Sequence, residues 1–140
     1  MDLYIERSGT GEKVVFVHGA GGNSASWVFQ KEYLHERAEV ALLDLPGRGR
    51  SGEQGRSSIA DYAGVVRDVI FDNDLQGCYL AGHSMGGLIG ISLAIAHPEI
   101  LKGLILVSTG ARLRVSPEIL EWIMVDKERA VNLIMDMAFS

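Results

Sequence analysis

Gly77-Cys-Tyr-Leu-Ala-Gly-His-Ser-Met-Gly-Gly-Leu-Ile-Gly-Ile-Ser-Leu-Ala-Ile-Ala96 is the stretch whose reading decides the fold. The short apolar run Cys78 to Ala81 leads into Gly82-His83-Ser84-Met85-Gly86, and Leu88, Ile91, Leu93 and Ile95 then recur at helical spacing. The order is strand, sharp turn, helix. A serine at such a turn sits on strained backbone with its hydroxyl pushed out at the top of a sheet. Glycines two residues to either side, Gly82 and Gly86, remove the Cβ atoms that would collide there. Ser84 is therefore the candidate nucleophile. Two plainer readings compete. Nearly twenty residues without a formal charge resemble a membrane span, with Gly82, Gly86 and Gly90 as a helix-dimer face. However, the first half is glycine-rich with a histidine in it, and neither a basic cluster nor an aromatic belt flanks it. The other reading is a buried strand and helix whose serine does nothing.

Composition narrows the classes. A chain of 140 residues, 47% of them hydrophobic, makes one domain at most and has the means to bury a core. A formal net charge of −5 and the lack of a lysine-arginine face argue against nucleic acid or an anionic membrane as partner. Cys78, the single cysteine, lies inside the apolar run, which excludes a disulfide framework and makes it a small buried hydrophobe. The first residues, Met-Asp-Leu-Tyr-Ile-Glu, place an acid where a signal peptide needs basic residues, so a cytoplasmic location is expected.

Outward from the central stretch, strands alternate with helices. Leu3 to Ile5 reads as a short strand and Ser8-Gly-Thr-Gly11 as a turn. Val14 to Val17 reads as a strand covered on both faces, ending in the loop His18-Gly-Ala-Gly-Gly-Asn-Ser24. Asn23, Ser24 or Ser26 caps the next helix, whose apolar face is Trp27, Val28 and Leu34. Glu39 to Leu45 is another buried strand, closed by Asp44-Leu-Pro-Gly-Arg-Gly-Arg-Ser-Gly52. Ser58 with Asp61 opens a helix carrying Ile59, Tyr62, Ala63, Val66, Val69 and Ile70. Pro98 stops the central helix, Leu101 to Val107 is a further apolar strand, and Ser116-Pro-Glu opens a helical tail with Ile119, Leu120, Ile123 and Met124 on one stripe. The pattern predicts an α/β fold: a mostly parallel sheet with helices on both faces.

Two glycine loops invite a nicotinamide-dependent reading. Gly47-Arg-Gly-Arg-Ser-Gly52 matches G-x-G-x-x-G, and Gly19-Ala-Gly-Gly-Asn-Ser24 nearly does, with Asp44 about twenty residues further on. The first does not open a helix directly, and the second has serine where the third glycine belongs. No phosphate-loop lysine motif and no zinc-ligand spacing is present, so neither metal nor cofactor is expected. Asp44 is read as holding its own turn, and Arg48, Arg50 and Arg56 as a solvated basic loop that alternatively meets an anionic substrate.

Taken together, His18-Gly19 with the glycines after it, Asp44-Leu-Pro-Gly-Arg-Gly-Arg-Ser51 and Gly82-His-Ser-Met-Gly-Gly87, in that order and spacing, resemble the α/β-hydrolase superfamily. The resemblance covers residues 1–110 and implies the N-terminal portion of an α/β-hydrolase core over residues 1–111. Residues 112–140 would begin a helical cap, and the core would be incomplete at the C-terminus. It further implies a serine esterase in which Ser84 attacks a carbonyl of a small-molecule acyl substrate. The backbone amides of Ala20 and Met85 would form the oxyanion hole, with His18, Gly19, Gly82 and Gly86 as supporting turns. Epoxide hydrolases and haloalkane dehalogenases carry aspartate at this elbow, so Ser84 argues against both.

The family order is serine, acid, histidine. After Ser84 the next histidine is His97, thirteen helical positions on and so about 20 Å away, where proton transfer needs roughly 3 Å. His83 is expected to point to the interior. His18, at a neighbouring strand end, is weighed as a base for Ser84 and otherwise assigned to the oxyanion loop. The expectation is that acid and histidine lie beyond Ser140. Leu101 to Val107 would then be an open apolar edge and Ile123, Met124, Ile134, Met135 and Phe139 an exposed stripe, completed by a C-terminal segment or a second copy. The alternative is a catalytically incomplete fragment or small-molecule binding module.

Overall fold

The computed structural model describes residues 3–52, 54–112 and 116–139, with side chains at all of these but 127, 135 and 137–139. Its strands are β1 (Ile5–Ser8), β2 (Glu12–Val17), β3 (Ala38–Leu43), β4 (Cys78–His83) and β5 (Leu101–Val107). Its helices are α1 (Val28–Leu34), α2 (Ile59–Asp72), α3 (Met85–Ala96), α4 (Pro117–Val125) and α5 (Lys127–Phe139). The strands form one sheet in the order β1-β3-β2-β4-β5, parallel throughout except for β1, which runs antiparallel to β3.

That order fixes where a site can form. From β2 the chain moves outward to β3, then returns through α2 to β4 on the other side of β2. The connections therefore reverse between β2 and β4, and the crevice beyond the carboxyl ends of these two strands is where open α/β sheets bind ligands. The loop after β2 begins at His18 and the turn after β4 holds Ser84.

Alternation along the strands builds two apolar layers. Val15, Val17, Ala41, Leu43 and Leu80 face α2 and α3, meeting Tyr62, Val66, Ile70, Ile89 and Leu93. Val14, Phe16, Val40, Leu42 and Ala81 face the other way, towards Trp27. Burial on both faces explains the unbroken apolar runs. Cys78 is wholly buried in the first layer, and burial pushes its thiol pKa up to about 11.

Several boundaries depart from the sequence reading. β1 is Ile5–Ser8 rather than Leu3 to Ile5, because its register is set by antiparallel pairing with Leu43 to Val40. β3 ends at Leu43, because the next amides leave the ladder: Asp44 donates to the Tyr4 carbonyl and Leu45 to the His18 ring. Asn23 is the residue that caps the turn before α1, accepting from the Ala25 amide. Val28, assigned to the apolar face of that helix, is exposed. Ser58 caps α2 as expected.

The sheet-facing side of α3 is Gly86, Ile89, Gly90 and Leu93, so of the expected Leu88, Ile91, Leu93 and Ile95 series only Leu93 is buried, and Ile95 is 79% exposed. Glycine lets this helix sit tight on the strands: a Cβ on Gly90 would come within 2.7 Å of Leu80 Cδ2. The glycine spacing thus serves packing against the chain's own sheet. Among the described residues no helix is long and apolar enough to cross a membrane.

The tail is two helices. Asp126 is extended and its carboxylate accepts from the Arg129 amide, so it caps α5 and breaks the stripe. Ile119 is buried, whereas Leu120, Ile123 and Met124 are exposed, as is Ile134. The side chains of Met135 and Phe139 lie outside the described residues.

Candidate active site

Ser84 joins β4 to α3 at φ 52° and ψ −116°, a left-handed conformation that costs a non-glycine residue about 1–3 kcal/mol. Its neighbours hold it there. A Cβ on Gly82 would lie 2.4 Å from the Gly86 carbonyl oxygen, and one on Gly86 would lie 2.3 Å from the Val17 carbonyl oxygen. Only glycine at both positions lets strand, turn and helix approach so closely. The Ser84 amide donates to the Val107 carbonyl at 3.0 Å. Its carbonyl accepts from the amides of Gly87 (3.0 Å) and Leu88 (3.3 Å) and from Thr109 Oγ1 (2.8 Å). These backbone anchors leave the side chain free: no described residue hydrogen-bonds the Ser84 hydroxyl, which makes no capping bond to α3.

The glycine loop after β2 lies against this turn. A Cβ on Gly19 would be 3.2 Å from Ser84 Cβ and 2.9 Å from His83 Nδ1, so the loop passes directly over the serine. Met85 is the first residue of α3, and its amide is one of the four that a helix start leaves without an intrahelical acceptor. The Ala20 amide likewise has no acceptor among the described residues. Met85 thus carries a free N–H directly after the serine, at the positive end of a helix dipole, and Ala20 carries a second next to Gly19, the loop residue that lies against Ser84.

His18 is fully buried, and both ring nitrogens are engaged. Nε2 accepts from the Leu45 amide at 3.1 Å, which places the ring proton on Nδ1, where it donates to the Gly19 carbonyl at 2.8 Å. Burial lowers its pKa, with the Arg48 charge adding to the effect against the opposing pull of the Gly19 carbonyl and Asp44. His18 is a neutral strut for the glycine loop, and the possibility that it serves as base for Ser84 is overturned. His83 is a second correction: it is exposed, ending β4 on the Ala81 side, where no helix among the described residues covers the strand tip. His97 ends α3 beside Glu99, with its Nδ1 3.4 Å from the carboxylate.

Asp44 holds its turn, as expected, and ties it to the glycine loop. Its Oδ1 accepts from the Ser24 amide at 2.6 Å and its Oδ2 from the Arg50 amide at 2.7 Å, while its carbonyl accepts from Ser51 Oγ. Burial would raise its pKa, but the hydrogen bonds from Arg50 and Ser24 outweigh that and hold it below the ordinary value. Gly49, at φ +51°, is required here, since a Cβ would sit 2.1 Å from Asp44 Oδ2. With both oxygens occupied and only 1% exposed, Asp44 is not available to a ribose, and the dinucleotide reading fails. Among the described residues no cluster of three histidine, cysteine or acidic side chains would hold a metal.

Sequence reasoning missed Thr109. Nothing in Val107-Ser-Thr-Gly110 marks it, yet its hydroxyl clamps the Ser84 carbonyl and its side chain fills the space a Cβ on Gly87 would need.

The sequence model of the alpha/beta hydrolase fold family matches residues 13–130. The chain belongs to this family. A putative carbamate hydrolase, RutD, from Azorhizobium caulinodans is 38% identical over 112 residues, 79% of this chain and 42% of that protein. The pimeloyl-[acyl-carrier protein] methyl ester esterase of Aeromonas hydrophila is 38% identical over 78% of this chain and 42% of its own length. The structure of an esterase from Thermogutta terrifontis superposes with a TM-score of 0.77 at 34% identity, covering 85% of this chain and 44% of that one. The chain thus spans 42% of the length of either curated relative.

Proposed function

We propose that this α/β-hydrolase chain carries the nucleophile and oxyanion hole of a serine hydrolase acting on carboxylic esters or related acyl substrates. One observation supports it above the others: the strained Ser84, its hydroxyl unengaged, lies under a glycine loop with two free amides beside it. In the proposed reaction Ser84 Oγ bonds to the acyl carbon and gives up its proton to a base. The carbonyl oxygen becomes an oxyanion held by the Ala20 and Met85 amides. The C–O bond to the leaving alcohol then breaks as that oxygen takes a proton, and water releases the acyl group by the same steps. Fixed donors of this kind are typically the largest catalytic term, each worth about 3–4 kcal/mol. Carbamate and ester hydrolysis, named for the two curated relatives, both pass through such an oxyanion.

The base and its acid partner are proposed to come from sequence after β5, because His18 is spent on its own loop and His97 ends α3. The open edge of β5, with Ile105, Leu106 and Val107 exposed, fits completion of the sheet by such a segment or by a second copy. A groove along Phe16, Trp27, Tyr79, Ile105 and Val107 on the α1 side fits it too, as Trp27 Nε1 there is buried without a partner among the described residues. Residues 112–140 would form the start of a cap.

A chimera joining residues 1–112 to the complementary C-terminal part of the Thermogutta terrifontis esterase tests this reading. It should hydrolyse p-nitrophenyl butyrate, and Ser84→Ala should abolish turnover. A folded chimera whose turnover survives that change refutes the reading.

A further inference from the structure

Between the glycine loop and the α4–α5 pair lies a cavity of about 730 Å³, lined by Ala20, Gly21, Arg48, Ile123, Ala130, Val131 and Ile134. Its size suits a small organic ligand. Ala20, whose amide is assigned to the oxyanion hole, is part of its lining, and Gly19 beside it lies against Ser84, so the Ala20 end of the cavity is the end nearest the serine. Four of its walls are aliphatic side chains from α4 and α5. Among the described residues lining it, only Arg48 is charged.

The three arginines of this region are used differently. Arg50 lies over the Tyr4 ring, 3.5 Å from its centroid, with Glu6 at 3.6 Å and Asp44 at 4.0 Å, so its charge is compensated. Arg56 donates to the Gln54 carbonyl at 2.7 Å. The Arg48 guanidinium has neither a hydrogen bond nor an ion pair among the described residues, although the chain carries a net charge of −5 and has acids to spare. Its backbone is fixed, the amide donating to the Leu45 carbonyl and the carbonyl accepting from Ser51, so the side chain leaves from a rigid turn. Its charge also bears on His18, favouring the neutral ring.

We infer that the substrate's acyl part is an aliphatic chain bearing an anionic group, a carboxylate above all, which pairs with Arg48 while the chain lies along Ile123, Val131 and Ile134. A guanidinium takes a carboxylate through two parallel hydrogen bonds, and the aliphatic wall excludes water from one side of the pair. Among the described lining residues Arg48 has no second cation beside it, which favours a monoanion over a phosphorylated or polyanionic group. The inference rests on the proposed role of Ser84, because that role makes Ala20 the reacting end of the cavity.

Binding and chemistry are read separately in the test. Monomethyl suberate, an anionic half-ester, and dimethyl suberate, its neutral counterpart, are titrated into the 140-residue chain while the methyl resonances of Ala20, Ala130, Val131 and Ile134 are followed by NMR. The half-ester should bind at least about tenfold more tightly, a difference of about 1.4 kcal/mol. Arg48→Gln should bring the ratio to about one, and Arg48→Lys should restore part of it. Equal affinities, a preference that survives Arg48→Gln, or no saturable shift at those methyls would each overturn the inference. A fluorophosphonate adduct at Ser84 reads the catalytic proposal separately, on the chimera that supplies the base and acid. Half-ester preference in the chain without an adduct in the folded chimera sinks the hydrolase reading and leaves an anion-binding cavity, while the adduct without preference does the reverse.

Discussion

Asp44→Asn separates the two turns that frame the site. In the native chain the Ser24 amide at 2.6 Å and the Arg50 amide at 2.7 Å end on the two carboxylate oxygens of a side chain that is 1% exposed. Asparagine keeps one acceptor oxygen and turns an NH2 group towards the other amide. One charge-assisted hydrogen bond is lost, about 1.5–3 kcal/mol, and donors that were satisfied are left buried and unpaired at about 1–3 kcal/mol. Relief of burying a charge offsets part of this, so a net loss of about 3 kcal/mol is expected. Urea unfolding at pH 7 should record it, with a melting temperature lower by roughly 10 °C. The pH dependence comes from the depressed pKa of Asp44. Its contribution is fully present above the unfolded carboxylate value of about 3.9 and is lost as pH falls through the lower folded value. The gap between native chain and variant should therefore narrow in acid. A loss under about 1 kcal/mol at pH 7, or a gap that widens in acid, would refute Asp44 as the tie between the turns.

Three other substitutions follow from the packing, two at supports of the serine and one at an open helix position. Gly86→Ala should cost at least about 2 kcal/mol by urea unfolding, because its Cβ would meet the Val17 and His18 carbonyl oxygens at 2.3 and 2.8 Å and neither is a side chain that can swing aside. Gly64→Ala in α2, where a Cβ meets nothing within 4 Å, should instead stabilise by about 0.5–1 kcal/mol. For His18 the folded pKa lies below the unfolded one, so its share of stability is whole above about pH 6.5 and lost as pH falls through the folded value. Urea midpoints of the native chain should decline from pH 7 to 5, and His18→Gln should flatten that decline.

Backbone chemistry made the strained turn at Ser84 legible in advance. A serine between Gly82 and Gly86, after an apolar strand, has few other uses, and the predicted collisions are the contacts found. The parallel sheet was legible because strands buried on both faces have no polar alternation. What the sequence hid depends on contacts between distant segments. Thr109 clamps Ser84 across 25 positions, and no local pattern announces it. His83 was expected to point to the interior, but burial at a strand tip depends on whether a helix reaches it, and among the described residues none does. Asp126 breaks the tail where an apolar stripe suggested one helix, because a cap overrides periodicity. The difference between Arg48 and Arg50, two residues apart in one loop, emerged only once Tyr4 and Glu6 were seen to occupy the second.

The most direct test of the central claim is the relative reactivity of individual serines. The chain would be treated with a fluorophosphonate at pH 8–9, digested at intervals, and the adducts located and timed by tandem mass spectrometry. Ser84 should be modified well ahead of the exposed Ser57 and Ser58, and its lead should vanish in urea, where the strained turn and the two amides are lost. Modification of Ser84 no faster than of Ser57 and Ser58 in the folded chain would contradict the claim that this turn was built to make a nucleophile.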